Sequence, residues 1–177
     1  GPPGTKYVER LEVALKERFP KARIRVINAG IGGTTTAGRL PNFDAEVLAH
    51  KPDVVTLEFV NDMSYPLEAM QKQYTEVLER TSQAGAALII ITPHMVMPSW
   101  MPNLPEGRGP DRRVNVDFLR QFARTHGIPV ADAARRWEAL ESLGIPYEIY
   151  LRNGINHPDD RAHVWFTEEI MKLFPAE

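Results

Sequence analysis

Pro52-Asp53-Val54-Val55-Thr56-Leu57-Glu58-Phe59-Val60-Asn61-Asp62 reads as an apolar strand, Val54 to Val60, that stops abruptly at a polar pair. In open α/β sheets, ligands bind just beyond the carboxyl ends of the strands. An amide side chain at such an end is placed to donate a hydrogen bond to a bound group. The same pair also suits a helix cap or a turn. The choice between these readings depends on what surrounds the strand.

Working outward, helix-like and strand-like segments alternate. Tyr7 to Phe19 carries apolar residues at mostly helical spacing, and Arg23 to Asn28 follows as a short strand. Ala29-Gly30-Ile31-Gly32-Gly33-Thr34 is a Gly-rich turn, and Asn42 to His50 a short helix. Beyond Asp62, Leu67 to Ala84 places Met70, Tyr74, Val77 and Leu78 on one helical face. Ala86 to Thr92 is a continuous apolar run of strand length, as expected where both sheet faces are covered. Arg113 to His126 is an amphipathic helix closed by Gly127. A short strand, Ile128 to Ala131, precedes a helix over Ala133 to Ser142 with Asp132 as its cap. A polar loop, Gly144 to Asp160, leads to a last helix, Arg161 to Leu173. Strands alternating with helices predict an α/β fold: a three-layer α/β/α sandwich around a flavodoxin-like parallel sheet. Right-handed crossovers then gather Gly30 to Thr36, Asn61-Asp62, His94 and Asp132 on one sheet edge.

Composition narrows the classes. The 177 residues favour one domain, 1–177, with 43% hydrophobic and 25% charged residues. Lys plus Arg number 21 and Asp plus Glu 23, a net charge of −2 that makes nucleic acid a poor partner. No apolar stretch reaches the roughly 18 residues that span a bilayer. Without cysteine, Cys-based catalysis and Cys-ligated zinc are excluded.

Several residues could carry chemistry. The Gly-rich turn departs from the dinucleotide spacing, and no acidic residue follows where that fingerprint needs one. Its glycines still let backbone N–H groups converge on a negative oxygen, or simply supply a tight turn. Among the five histidines, His157 and His94 lie where a general base is useful. His157, Asp159, Asp160 and His163 cluster in sequence but match no metal-ligand spacing, so neither metal nor cofactor is expected. Met95 to Pro110 is long, with Trp100 and three methionines. It suits a lid or substrate wall, Trp100 included, or a plain surface loop.

Taken in order, these pieces resemble the SGNH (GDSL-like) hydrolase family. Asn28 to Thr34 looks like its second block, Pro52 to Asp62 like its third, and Asn153-Gly154-Ile155-Asn156-His157-Pro158 like its last. The resemblance implies that Gly33 donates a backbone N–H to an oxyanion, that Asn61 adds a side-chain N–H, and that His157 is the base. Three departures accompany it. Phe59 stands where the family has glycine. Gly154 stands where it has aspartate, leaving Asn153, or Asp159 or Asp160, to orient the histidine. The Gly-Asp-Ser block that ends the first strand and carries the nucleophile is absent. The expectation is therefore a serine esterase acting on small-molecule or carbohydrate esters, with its first strand and nucleophile on a missing N-terminal segment. A non-catalytic binding module on the same scaffold is the alternative. A flavodoxin-like nucleotide or receiver domain is a third reading, but the acidic or phosphate-binding cluster it requires is missing.

Overall fold

The computed structural model describes residues 4–100 and 113–175. In chain order the elements are α1 (Tyr7–Arg18), the short helices α2 (Thr36–Arg39) and α3 (Phe43–Glu46), β1 (Val54–Leu57), α4 (Leu67–Gln83), β2 (Ala87–Ile91), α5 (Arg113–His126), β3 (Val130–Ala131), α6 (Ala134–Ser142) and α7 (Asp160–Met171). Two compact units divide them. Among the described residues one takes 29–93 and 113–130, the other 4–28, 94–100 and 131–175.

The sheet has the order β1-β2-β3, with β1 and β2 in the first unit and β3 at its boundary. β1 and β2 run parallel, with Val55 opposite Leu88 and Leu57 opposite Ile90. β2 buries four of its five residues, as its unbroken apolar run requires. Met70, Tyr74, Val77 and Thr81 form the buried stripe of α4, spaced by three and four residues. Gly85 takes φ 76°, so Ala86 N–H reaches back to Thr81 O and closes the helix. Gly127, at φ 65°, ends α5 in the same way through Ile128 N–H and Ala123 O.

In the second unit α1 packs along α7. Leu11 and Leu15 are buried on one side, Phe166 and Ile170 on the other. Tyr7 stacks on Phe166 at 5.3 Å between ring centres. The fully buried Trp137 of α6 meets Tyr147, Tyr150 and Trp165 edge-on.

Parallel strands flanked by helices form the expected α/β fold. The order β1-β2-β3 matches the last three strands of a 2-1-3-4-5 sheet. Two expectations need correction. Residues 23–28 are no strand: burial alternates from Arg23 to Val26, but no ladder forms among the described residues. The helix expected over Asn42 to His50 is also broken, into Phe43–Glu46 and a 3-10 turn Leu48–His50 that ends at Lys51 with φ 52°. So short an apolar pattern is a weak helix nucleus.

Candidate active site

β1 stops at Leu57 rather than Val60, and the chain turns through a 3-10 helix, Val60–Ser64. This turn holds Asn61 at the carboxyl end of the strand. Asn61 Nδ2 donates to Thr34 O at 2.7 Å, and Ser64 Oγ donates to Asn61 O at 3.0 Å. An amide nitrogen carries two hydrogens. One secures the Gly-rich loop. Gly33, next to the anchored Thr34, lies at φ 76°, where a Cβ would meet nothing within 4 Å. Glycine is needed there for backbone conformation rather than for space.

Asp62 is not the cap of a following helix. It is fully buried and reaches back to α2. Its carboxylate accepts Thr36 N–H at 2.9 Å, the Thr36 hydroxyl, and the Tyr74 hydroxyl at 3.1 Å. Asn115 of α5 supports the turn from behind, donating to Tyr65 O at 3.0 Å and Asp62 O at 3.3 Å. Burial raises the pKa of Asp62 despite these three donors.

Glu58 lies four residues before Asp62. The residue is only half-buried, yet its Oε1 is shut off from solvent and finds no partner among the described residues. Burial, with the charge of Asp62 second, pushes its carboxyl up from 4.5 to about 7, against a backbone N–H from Val60. The folded state therefore keeps a proton that the unfolded chain releases. Stability falls as pH rises from about 4.5 to about 7 and levels off above that range. Glu58→Gln is always neutral and is expected to stabilise the protein at pH 8 by about 1–3 kcal/mol, with little effect at pH 4.5. Urea unfolding at the two pH values measures this. An equal shift at both would contradict it.

In the second unit, Asn153 folds the loop before α7. Its Oδ1 accepts the N–H groups of Ile155, Asn156 and His157 at 3.1, 2.9 and 3.1 Å. Its Nδ2 donates to Asn156 Oδ1 at 2.7 Å. Asn153 thus orients the main chain of His157, while the exposed imidazole makes no hydrogen bond among the described residues. Gly154, at φ 65°, sits where an aspartate would be strained. Asp159 caps α7, accepting from Arg161 N and Ala162 N at 2.9 Å each. Asp160 pairs with Arg152. Both carboxylates are thereby committed, and among the described residues no three His, Asp or Glu side chains converge as metal ligands.

His94, the other candidate base, is buried; its Nε2 lies 2.8 Å from Asn156 O, and its ring packs near Trp137 and Phe166. It supports the loop that presents His157. Met95 and Met97, both half-buried, pack against the Trp137 cluster. Trp100 ends a 3-10 turn, Pro98–Trp100, half-buried, and residues 101–112 lie outside the described residues.

Sequence reasoning missed Thr36, Tyr74 and Glu58 as the groups gathered around Asp62. A tyrosine on the apolar face of α4 was the available signal, since a buried hydroxyl needs a partner.

A parallel α/β sheet, with a Gly-rich loop tied to an amide at a strand's carboxyl end, has the frame of an SGNH-type hydrolase. The chain belongs to the GDSL-like lipase/acylhydrolase family, whose model matches residues 2–165. It is 34% identical to an acetylxylan esterase from Geobacillus stearothermophilus over 188 residues, covering 96% of this chain and 80% of that protein. In fold it is similar to an α/β hydrolase enzyme from the metagenome of Lake Arreo, Spain, with TM-score 0.77, 23% identity, and coverage of 95% of this chain and 80% of that one. It is likewise similar to the crystal structure of an acetylxylan esterase from Geobacillus stearothermophilus, with TM-score 0.75, 21% identity, and coverage of 97% and 82%. The family makes it a carboxylic ester hydrolase. No helix among the described residues is long and apolar enough to cross a membrane.

Proposed function

We propose that the protein hydrolyses short acyl esters, acetylated carbohydrates foremost, by a Ser-His mechanism whose nucleophile is none of this chain's serines. The bond from Asn61 Nδ2 to Thr34 O at 2.7 Å carries this reading, because it ties one oxyanion donor to the loop that bears the other. The acetylxylan esterase relative supports the substrate class.

The nucleophile's Oγ attacks the ester carbonyl carbon while His157 takes its proton. Gly33 N–H and Asn61 Nδ2 stabilise the resulting oxyanion. As the tetrahedral intermediate collapses, the C–O bond to the alcohol breaks and His157 returns the proton to the leaving oxygen. Water then attacks the acyl carbon as His157 takes its proton; the bond to the serine Oγ breaks, the acid leaves, and His157 returns the proton to Oγ. Family membership is what joins His157 to the two donors in this scheme.

Of the chain's four serines, Ser64 lies in the 3-10 turn after β1, and Ser142 donates to Ala139 O inside α6. Ser82 lies in the last turn of α4, and Ser99 in the turn Pro98–Trp100. None occupies a sharp strand-to-helix turn, where a nucleophile is exposed. The nucleophile is therefore assigned to a Gly-Asp-Ser strand outside these 177 residues. By itself, the 177-residue polypeptide is expected to turn over p-nitrophenyl acetate at background rate. Vigorous turnover would overturn the assignment unless Ser64→Ala or Ser99→Ala abolished it.

A second reading, a binding module without catalysis, draws on Gly154 and on the committed carboxylates around His157. Without a carboxylate, imidazolium loses stabilisation. With the nucleophile-bearing strand present, release of acetate from acetylated xylo-oligosaccharides supports the esterase. Binding of those sugars without release supports the module.

A further inference from the structure

The contacts around the Gly-rich loop assign a task to Asp62. We propose that Asp62 is a positioning residue that sets the separation of the two oxyanion donors. This inference rests on the esterase reading above and adds a residue to it.

Two consecutive residues of the turn grip the loop at two points, Asn61 through Thr34 O and Asp62 through Thr36. Gly33 lies immediately before the first point, so the grip fixes where its N–H stands relative to Asn61 Nδ2. The Tyr65 hydroxyl also reaches the loop, at Thr35 Oγ1 at 3.0 Å, but it is only partly buried; the two bonds to Thr36 are the buried anchor that limits rotation of the loop about Thr34. The acceptor is well suited to the task. Asp62 is fully buried, and Thr36 is 1% exposed, so water competes little for the bonds. Tyr74 donates to the same carboxylate from α4 but does not touch the loop. Cost and purpose agree, because burying a carboxylate is unfavourable unless its donors are in place.

A misplacement of about 1 Å can cost about 10²-fold in rate. The experiment uses the protein with its nucleophile present, and kcat is expressed per site titrated with a fluorophosphonate. Asp62→Ala is expected to lower kcat about 10²-fold with KM within about two-fold. Asp62→Asn keeps an oxygen for Thr36 N–H and is expected to recover most of that loss. Thr36→Val removes only the hydroxyl and is expected to lower kcat about 10-fold. It also serves if Asp62→Ala fails to fold. Tyr74→Phe is expected to lower Tm as much as Thr36→Val does while leaving kcat within about two-fold. Were kcat to follow Tm across all four variants, or Thr36→Val to leave kcat unchanged, Asp62 would be merely structural. Asn61→Ala in the same assay separates the two layers. Full activity in that variant sinks the oxyanion reading itself. Loss there beside an unimpaired Asp62→Ala sinks only this proposal.

Discussion

Replacing Asn61 by alanine, in the protein with its nucleophile present, is expected to lower kcat by about 10²–10³ while KM stays within a few-fold. An oxyanion exists only after the nucleophile has attacked, so a donor aimed at it stabilises the transition state and not bound ester. Asn61 is anchored in a 3-10 turn at the end of β1, and its bond to Thr34 O holds the amide in place before the ester arrives. That anchoring also gives the substitution a stability cost, about 1 kcal/mol for one hydrogen bond. The catalytic loss of about 3–4 kcal/mol is several-fold larger. A drop in Tm accompanied by an equal loss of activity, with no separate fall in kcat, would instead mark Asn61 as a turn residue.

His157→Ala is expected to lower kcat by about 10²–10⁴ and leave Tm nearly unchanged. The two effects separate because the imidazole is exposed and makes no hydrogen bond among the described residues. Asn153 organises the loop through backbone N–H groups that alanine at 157 retains. Surface changes of this kind usually stay within about 0.5 kcal/mol. Thermal unfolding and single-turnover acetate release on the same preparation test both halves. Unchanged acetate release would remove His157 from the mechanism.

The fold was legible where a pattern is local. The apolar run of β2 and the buried stripe of α4 follow directly from spacing, as does the stop at Gly127. Residues 23–28 misled because alternation reports which face is covered, not whether a neighbouring strand exists. In the site, Gly33, Asn61 and His157 were named from the order of short blocks. The supports of the first two were not, because Thr36 and Asp62 stand 26 residues apart and Tyr74 and Asp62 stand 12 apart. Pairings at such distance leave no periodic trace. Asp62 reads from sequence as an ordinary cap for the same reason: its partners lie 26 residues behind it and 12 ahead, not in the first turn of a following helix.

The nucleophile can be located by fluorophosphonate labelling and mapping of the modified peptide. One labelled serine is expected, in a Gly-Asp-Ser sequence and distinct from Ser64, Ser82, Ser99 and Ser142, with labelling abolished in His157→Ala. A label on any of those four serines, or no label with the upstream strand in place, would contradict it.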